Sequence, residues 1–345
     1  MVALVDSRLR GNDGEFSDNL IPMKKTLEKV LVLGGTGFVG RHVCEKLTCQ
    51  NIHITVPTRR RSNAQYVQSL PMLDVLEVNI HDPAALAALV AGHDAVVNLI
   101  AILHGDEASF ERAHVEFPKK LAAACQQAGV KRIVHVSALG ASLDAPSMYQ
   151  RSKARGEAAL QAAGLDLTIL RPSVIFGADD KFLNLFAKLQ SVFPVMPLAG
   201  AATKFQPVWV EDVAQAVVNS LTTQSTAANA VIEACGPDVL TLKELVQLSA
   251  ITAGINRGRG RPVLALPPFL GKLQALAMRL LPGEPLISQD NLDSMKVDNV
   301  ASGKLPGLQA LGVNPSALAA IVPTYLGNRS VVRQQLALRK TAGRF

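Results

Sequence analysis

Three residues near the middle of the chain could together move a proton. Tyr149 and Lys153 stand four positions apart in Tyr149-Gln-Arg-Ser-Lys153, which on a helix places them one turn apart on one face. An unperturbed phenol has a pKa near 10 and is a poor proton donor or acceptor at neutral pH, while an adjacent ammonium favours its ionised form. Ser137 closes the apolar run Lys131 to Ser137 and offers a hydroxyl that could polarise a carbonyl while Tyr149 delivers or removes the proton. The Tyr-x-x-x-Lys spacing is common by chance, and an exposed helical tyrosine is the plain alternative. The triad gains weight only if other elements bring a redox cofactor to it.

Such a cofactor site is written at Lys29-Val-Leu-Val-Leu-Gly-Gly-Thr-Gly-Phe-Val-Gly-Arg41. Val30 to Leu33 suit a fully buried parallel strand, and Gly34, Gly37 and Gly40 remove side chains where a chain turns, meets a pyrophosphate and packs helix on strand. The amides at the start of the following helix would face the phosphates, which makes Thr36, Phe38, Val39 and Arg41 candidate contacts beside the glycines. A tight turn with no ligand is the alternative. Lys153 would then hydrogen-bond the nicotinamide ribose, and the cofactor would move the hydride. An acidic residue about twenty positions on would hold a ribose 2′-hydroxyl. None occurs from Gln50 until Asp74, and the second strand leads into Arg59, Arg60 and Arg61. A guanidinium suits a 2′-phosphate that a carboxylate would repel, so NADP(H) is preferred, with NAD(H) as the alternative cofactor. A solvated basic turn is the competing explanation of the arginines.

The elements that must position these residues alternate as strand and helix, the pattern of an α/β protein with a Rossmann doubly wound parallel sheet. Strands are expected at 30–33, 52–58, 73–78, 95–103, 131–137 and 165–170, with helices at 83–91, 110–128 and 149–163. In such sheets ligands lie beyond the carboxyl ends of the strands. Asn79 and Ile80 would flank the adenine, and Asn98 would hold a backbone or ribose group or be a satisfied core amide. The segment Arg171-Pro-Ser-Val-Ile-Phe-Gly177 leaves the sheet toward the cleft with Pro172 and Val174 as candidate contacts.

The remainder reads as a smaller, interleaved C-terminal substrate lobe at 178–210 and 236–328, with the Rossmann domain at 23–177 completed by about 211–235. Residues 205–210 are expected as a strand, 211–221 as a helix, 231–233 as a returning strand and 242–252 as a helix. Asn256-Arg-Gly-Arg-Gly-Arg261 forms a basic loop. Phe269, Leu273, Leu276, Ala277 and Leu280 recur at helical spacing. Core packing is the expected role of that stripe, and a face resting on a bilayer or partner, assisted by Arg257, Arg259 and Arg261, is the alternative. Residues 329–345 form a basic tail, either a solvated helix or a second electrostatic anchor.

With 345 residues and 48% hydrophobic content the chain can bury a large core, and 35 Lys+Arg against 28 Asp+Glu permit anionic partners without requiring them. No zinc-finger spacing or aromatic recognition motif supports nucleic acid. Cys44, Cys49, Cys125 and Cys235 form no C-x-x-C pair and read as reduced core thiols, and the scattered histidines suggest no metal site. Residues 1–22 read as a disordered extension, with Met23 as the natural start. No run approaches the eighteen or so apolar residues of a membrane span. The expected location is cytoplasmic, with weak attachment at the inner membrane.

Taken together, Gly34-Gly-Thr-Gly-Phe-Val-Gly-Arg41, Val96 to Leu103, His135 to Gly140, Tyr149-x-x-x-Lys153, Arg171 to Gly177 and Gln206-Pro-Val-Trp-Val-Glu-Asp-Val213 resemble an atypical or extended short-chain dehydrogenase/reductase. The Asn98 to Leu103 and Phe205 to Val210 segments resemble the nucleotide-binding accessory subunit of respiratory complex I and its bacterial relatives. The resemblance spans about residues 27 to 240. It implies a Rossmann domain holding NADPH, either as an oxidoreductase on an apolar carbonyl or quinone-related substrate or as a non-catalytic holder in a respiratory or quinone-biosynthetic complex. One departure bears on catalysis: Ala138-Leu-Gly-Ala replaces the second serine or threonine often found in active epimerases and dehydratases.

Overall fold

The strands that carry the site are short, apolar and buried on both faces. A computed structural model of the protein describes residues 27–222, 230–267, 269–271, 273 and 288–326. The strands are β1 (Lys29–Leu33), β2 (His53–Thr58), β3 (Leu73–Glu77), β4 (Ala95–Asn98), β5 (Arg132–Val136), β6 (Asp166–Pro172), β7 (Ile175–Phe176), β8 (Met196–Ala199), β9 (Lys204–Phe205), β10 (Val208–Trp209), β11 (Val231–Ala234), β12 (Leu240–Thr241) and β13 (Val263–Leu266). The helices are α1 (Phe38–Thr48), α2 (Pro83–Val90), α3 (Glu107–Glu111), α4 (Phe117–Ala128), α5 (Met148–Gln161), α6 (Leu183–Val192), α7 (Val210–Thr222), α8 (Leu242–Thr252), α9 (Gln289–Ser294) and α10 (Leu318–Tyr325).

Seven strands form one parallel sheet in the order β11-β6-β5-β4-β1-β2-β3. The chain runs outward from β1 to β3, then crosses back to β4, so the order reverses between β1 and β4, where such sheets open a crevice. Alternation along β1 sends Val30 and Val32 into one core with α1 and α7, and Leu31 and Leu33 into another with α2, α4 and α5. A third core around Phe176, Leu183, Phe186, Leu198, Phe205, Leu242 and Leu245 builds the smaller lobe, where β8 and β13 pair in parallel.

Several sequence expectations need correction. The fourth strand ends at Asn98 rather than Leu103, because the Asn98 side chain accepts the Ile100 N–H and turns the chain out of the ladder. The helix expected at 110–128 starts at Glu107, where Asp106 caps it, and widens into a π-turn over Arg112–Glu116 before α4. The strand expected at 205–210 is two short pieces, β9 and β10, interrupted at Pro207, which has no N–H to give a ladder. Leu308, Leu311 and Val313, placed by sequence in the lobe, pack instead in the first core, where Gly307 bridges to Glu233 of β11. Cys44, Cys125 and Cys235 are buried, but Cys49 is exposed because it falls just past the end of α1. The expectations for residues 1–22, Met23 and 329–345 lie outside the described residues.

Helix α5 is fixed to β6 by a two-point ion pair: Arg171 Nε donates to Glu157 Oε1 at 3.0 Å and Arg171 Nη2 to Glu157 Oε2 at 2.5 Å. Both groups are largely shielded from water. Removing one partner of such a pair leaves an uncompensated charge. Glu157→Ala is expected to destabilise the fold by about 3 kcal/mol in denaturant unfolding. A loss below about 1 kcal/mol, typical of exposed pairs, would show that the pair does not hold α5.

Candidate functional site

Because the sheet is parallel, the residues following β1, β2, β4, β5 and β6 all emerge at one edge. Gly34 turns there with φ +85°, a conformation L side chains rarely adopt. A Cβ at Gly40 would lie 2.2 Å from the Gly34 carbonyl oxygen, so α1 can approach β1 only with glycine at that place. Gly35, which the sequence reading passed over, is equally constrained: its Cβ would meet Val56 of β2 at 2.8 Å. Gly37 caps α1 with an extended backbone and no side-chain acceptor, and no acidic residue lies in the first turn. The helix therefore presents its first amides without a competing carboxylate, as an anion site requires. Thr36, Phe38 and Val39 are partly buried around this turn. These features fit a dinucleotide pyrophosphate.

The flanking candidates divide. Arg59 and Arg60 are exposed just beyond β2 and pair with no carboxylate among the described residues. Arg41 is engaged otherwise: its guanidinium meets Asp179 at 2.6 Å and lies over the rings of Phe38 and Tyr66 at 5.7 and 5.4 Å. Asp179 had no sequence signal. Asn79 is exposed, with its side chain accepting the His81 N–H, and Ile80 is partly buried against the second core. Asn98 is a satisfied core amide, bonded to Ile100 N and to His135 Nδ1. Pro172 is buried and its carbonyl accepts the Leu139 N–H, tying the loop after β5 to β6; Val174 packs on the third core.

At the end of β5, Ser137 is 4% exposed and its Oγ has no hydrogen-bond partner. An unpaired buried hydroxyl costs about 1–3 kcal/mol, so at the carboxyl end of its strand it leaves a bond for a ligand atom to make. Lys153 is fully buried and its Nζ donates to the carbonyl of Val136, the residue before Ser137. Tyr149 lies one turn earlier on α5, and its ring meets the edges of Phe110 and His114 at 6.1 and 5.5 Å between centroids. Two buried carboxylate contacts from the lobe complete the setting: Asp290 of α9 accepts the backbone N–H groups of Met148 and Tyr149.

The surroundings of Tyr149 run against the expectation that Lys153 ionises the phenol. Burial pushes the Tyr149 hydroxyl up to about 12, and the ammonium is turned to the Val136 carbonyl. Burial likewise lowers Lys153 to about 8, partly offset by Glu157. Tyr149 is thus a protonated group at neutral pH, able to donate. His114, unforeseen from sequence, sits in the π-turn and is held down to about 3 by burial and by Lys153. Its Nε2 accepts the Ile102 N–H, so Nδ1 carries the proton and donates to Ser152 Oγ, which donates to the Tyr149 carbonyl. The only sequence signal for it was a histidine inside an apolar helical run.

The sequence suggests no metal site. Among the described residues, His42, Glu45 and Glu211 bring ligand atoms within 4.8 Å of one another. Glu211 is already shared between His42 Nδ1 at 2.6 Å and Lys46 Nζ at 2.9 Å, so the cluster carries its own cation.

A parallel Rossmann sheet and a glycine turn fitted to a pyrophosphate at the carboxyl end of β1 define an NAD(P)H-binding α/β protein. A family model described as NAD(P)H-binding matches residues 34–224, and the chain belongs to that family. It is 33% identical over 294 residues to the mitochondrial NADH dehydrogenase (ubiquinone) 1 alpha subcomplex subunit 9 of Mus musculus, covering 83% of this chain and 76% of that one. It is 30% identical over 191 residues to a ceramide reductase of Caulobacter vibrioides, covering 55% of this chain and 59% of that one. An NADPH-dependent quinone oxidoreductase from Escherichia coli, solved with NADPH, superposes with TM-score 0.68 at 18% identity over 87% of this chain and 99% of that one, which shows the shared fold.

The buried ammonium gives a pH signature. Below pH 8 Lys153 is charged in both folded and unfolded chains and the fold carries its desolvation. Between about 8 and the ordinary 10.5 the unfolded chain binds more protons, so this group's contribution to stability rises with pH. Cys44, Cys125 and Cys235, each pushed up to about 12 by burial, act in the opposite direction. The readout is therefore the difference between the unmodified protein and Lys153→Met in chemical denaturation from pH 8 to 10. The unmodified protein should gain relative to the variant, and parallel curves would place the Lys153 pKa elsewhere.

Proposed function

We propose that this protein binds NADPH and reduces an apolar carbonyl or quinone-related substrate, with Tyr149 as proton donor. The observation that carries the reading is the buried, unpartnered Ser137 hydroxyl, adjacent in the chain to the Val136 carbonyl that holds the Lys153 ammonium, with a protonated Tyr149 one helix turn before Lys153. Ser137 hydrogen-bonds the substrate oxygen, Tyr149 gives it a proton, and Lys153 holds the ribose and stabilises the phenolate that remains. When bound, the nicotinamide supplies the hydride. Gly34, Gly37 and Gly40 with the first amides of α1 hold the pyrophosphate. Arg59 and Arg60 hold a 2′-phosphate, which gives NADPH preference over NADH.

A second reading is favoured by a specific observation: the relative at 33% identity across 83% of the chain is named as a subunit of NADH dehydrogenase. In that reading the protein holds NADPH without turnover and belongs to a respiratory or quinone-biosynthetic complex. A tightly held nucleotide is useful even there, since a ligand at a thousandfold excess over its dissociation constant stabilises a fold by about 4 kcal/mol.

Cofactor choice is tested by fluorescence titration. NADPH should bind more tightly than NADH, and Arg59→Asp should reverse or abolish the preference; equal affinities in the unmodified protein would refute the arginine assignment. Chemistry is tested by Tyr149→Phe, which should leave NADPH binding nearly intact and lower hydride transfer by on the order of 10² to 10⁴. Full turnover in that variant would remove Tyr149 from the mechanism. No turnover by the unmodified protein on carbonyl and quinone panels would favour the holder.

A further inference from the structure

The apolar stripe beginning at Phe269, expected to be core, is not buried where it is described: Phe269 is 74% exposed and Leu273 54%. Leu276, Ala277 and Leu280 lie outside the described residues. The exposure continues along the adjoining edge of the lobe. Leu264 of β13 is 58% exposed, and Val192 at the end of α6 with Phe193 and Val195 before β8 are exposed as well.

The segments that carry these residues lie side by side through recorded contacts. Met196 N donates to the Pro262 carbonyl and Arg261 N to the Gln190 side chain, so the end of α6 runs beside the start of β13. At the other end of β13, about 10 Å away, a Cβ on Gly271 would touch Ala199 of β8 at 2.9 Å. The basic loop adjoins the first end. Its turn is internally bonded, with Gly258 N and Gly260 N donating to the Ile255 carbonyl and Asn256 Nδ2 to the Gly260 carbonyl. Arg257 and Arg259 stand exposed on that fixed turn, and Lys188 is exposed on α6. The sequence has no Asp or Glu from Lys181 to Val210 or from Leu245 to Gly283.

We infer that this face, comprising Val192, Phe193, Val195, Leu264, Phe269 and the exposed Arg257 and Arg259, docks on an anionic lipid bilayer. Charge decides the occupant. A second copy would set the same arginines against one another, whereas a lipid surface offers phosphates to the guanidiniums and acyl chains to the phenyl and aliphatic tips. The face also adjoins the proposed site: the Gly271 position contacts Leu292 of α9, and Asp290 of the same helix caps Tyr149. Docking nevertheless stands independently of any turnover.

The test is flotation of the full chain with vesicles of phosphatidylcholine alone or in equal parts with phosphatidylglycerol, at low and high salt. The protein should bind the mixed vesicles at low salt, detach at high salt and ignore phosphatidylcholine. Arg257→Ser and Arg259→Ser together should weaken binding by about thirtyfold. Leu264→Ser with Phe269→Ser, both at exposed positions, should weaken it while circular dichroism and NADPH binding stay unchanged. Unaltered vesicle binding in either variant overturns the proposal. So does a protein that fails to float, including one in which these substitutions only dissolve a dimer or an acidic protein complex.

Discussion

Everything at the site depends on helix α5 having a polar inner face. Ser152, Lys153, Gly156 and Glu157 are all buried, where an ordinary amphipathic helix would place leucine or valine. Each polar group needs a partner, because an unsatisfied one costs about 1–3 kcal/mol. Each partner comes from a different element: His114 from the π-turn, the Val136 carbonyl from β5, and Arg171 from β6. Sliding or rotating α5 by one residue would break all three contacts together. The helix register is set by hydrogen bonding rather than by apolar packing, and Tyr149 inherits its position from that register.

The π-turn is the other half of this arrangement. A Cβ on Gly156 would stand 1.9 Å from the His114 carbonyl oxygen, so the two backbones meet only because Gly156 has no side chain. Widening the helix over Arg112–Glu116 carries His114 inward, where its ring spans the Ile102 amide of the loop after β4 and the Ser152 hydroxyl of α5. π-Turns recur at functional sites because they re-aim a side chain without ending the helix. Holding His114 neutral is part of the arrangement. A second buried cation next to Lys153 would be repelled, and the same field with burial keeps His135 well below its ordinary pKa.

The parallel sheet was legible in the sequence because its signals are local: apolar runs of strand length, glycines at a turn and helical periodicity between them. The place of Ser137 just past β5 followed from the same pattern, and the Tyr-x-x-x-Lys spacing put Tyr149 and Lys153 on one helix. What escaped depended on distant partners. Asn98 shortens its strand through contacts with Ile100 and with His135 on β5, which no window around residue 98 contains. Arg41 looked free beside the glycine turn but meets Asp179, well over a hundred residues later. Spacing could suggest that an ammonium ionises Tyr149, but it could not show the ammonium turned toward a backbone carbonyl. The stripe at Phe269 has true helical periodicity, yet periodicity identifies an apolar face without identifying what covers it.

The titration behaviour of the pair gives the site a direction. A phenol held near 12 resists acting as a base at neutral pH, so abstraction of a substrate proton starts from an unfavourable state. As a donor it begins in the correct state, and the cost moves to the phenolate left behind. That anion would form one helix turn from an ammonium whose pKa of about 8 keeps it mostly charged at pH 7. Attraction to a new negative charge would raise the Lys153 pKa further, strengthening the cation when it is needed. The apo contact to Val136 is a neutral acceptor and holds the ammonium less strongly than an anion would. In the proposed reaction, reduction starts from the resting phenol and ammonium, whereas oxidation first requires the phenol to lose its proton while the ammonium stays charged.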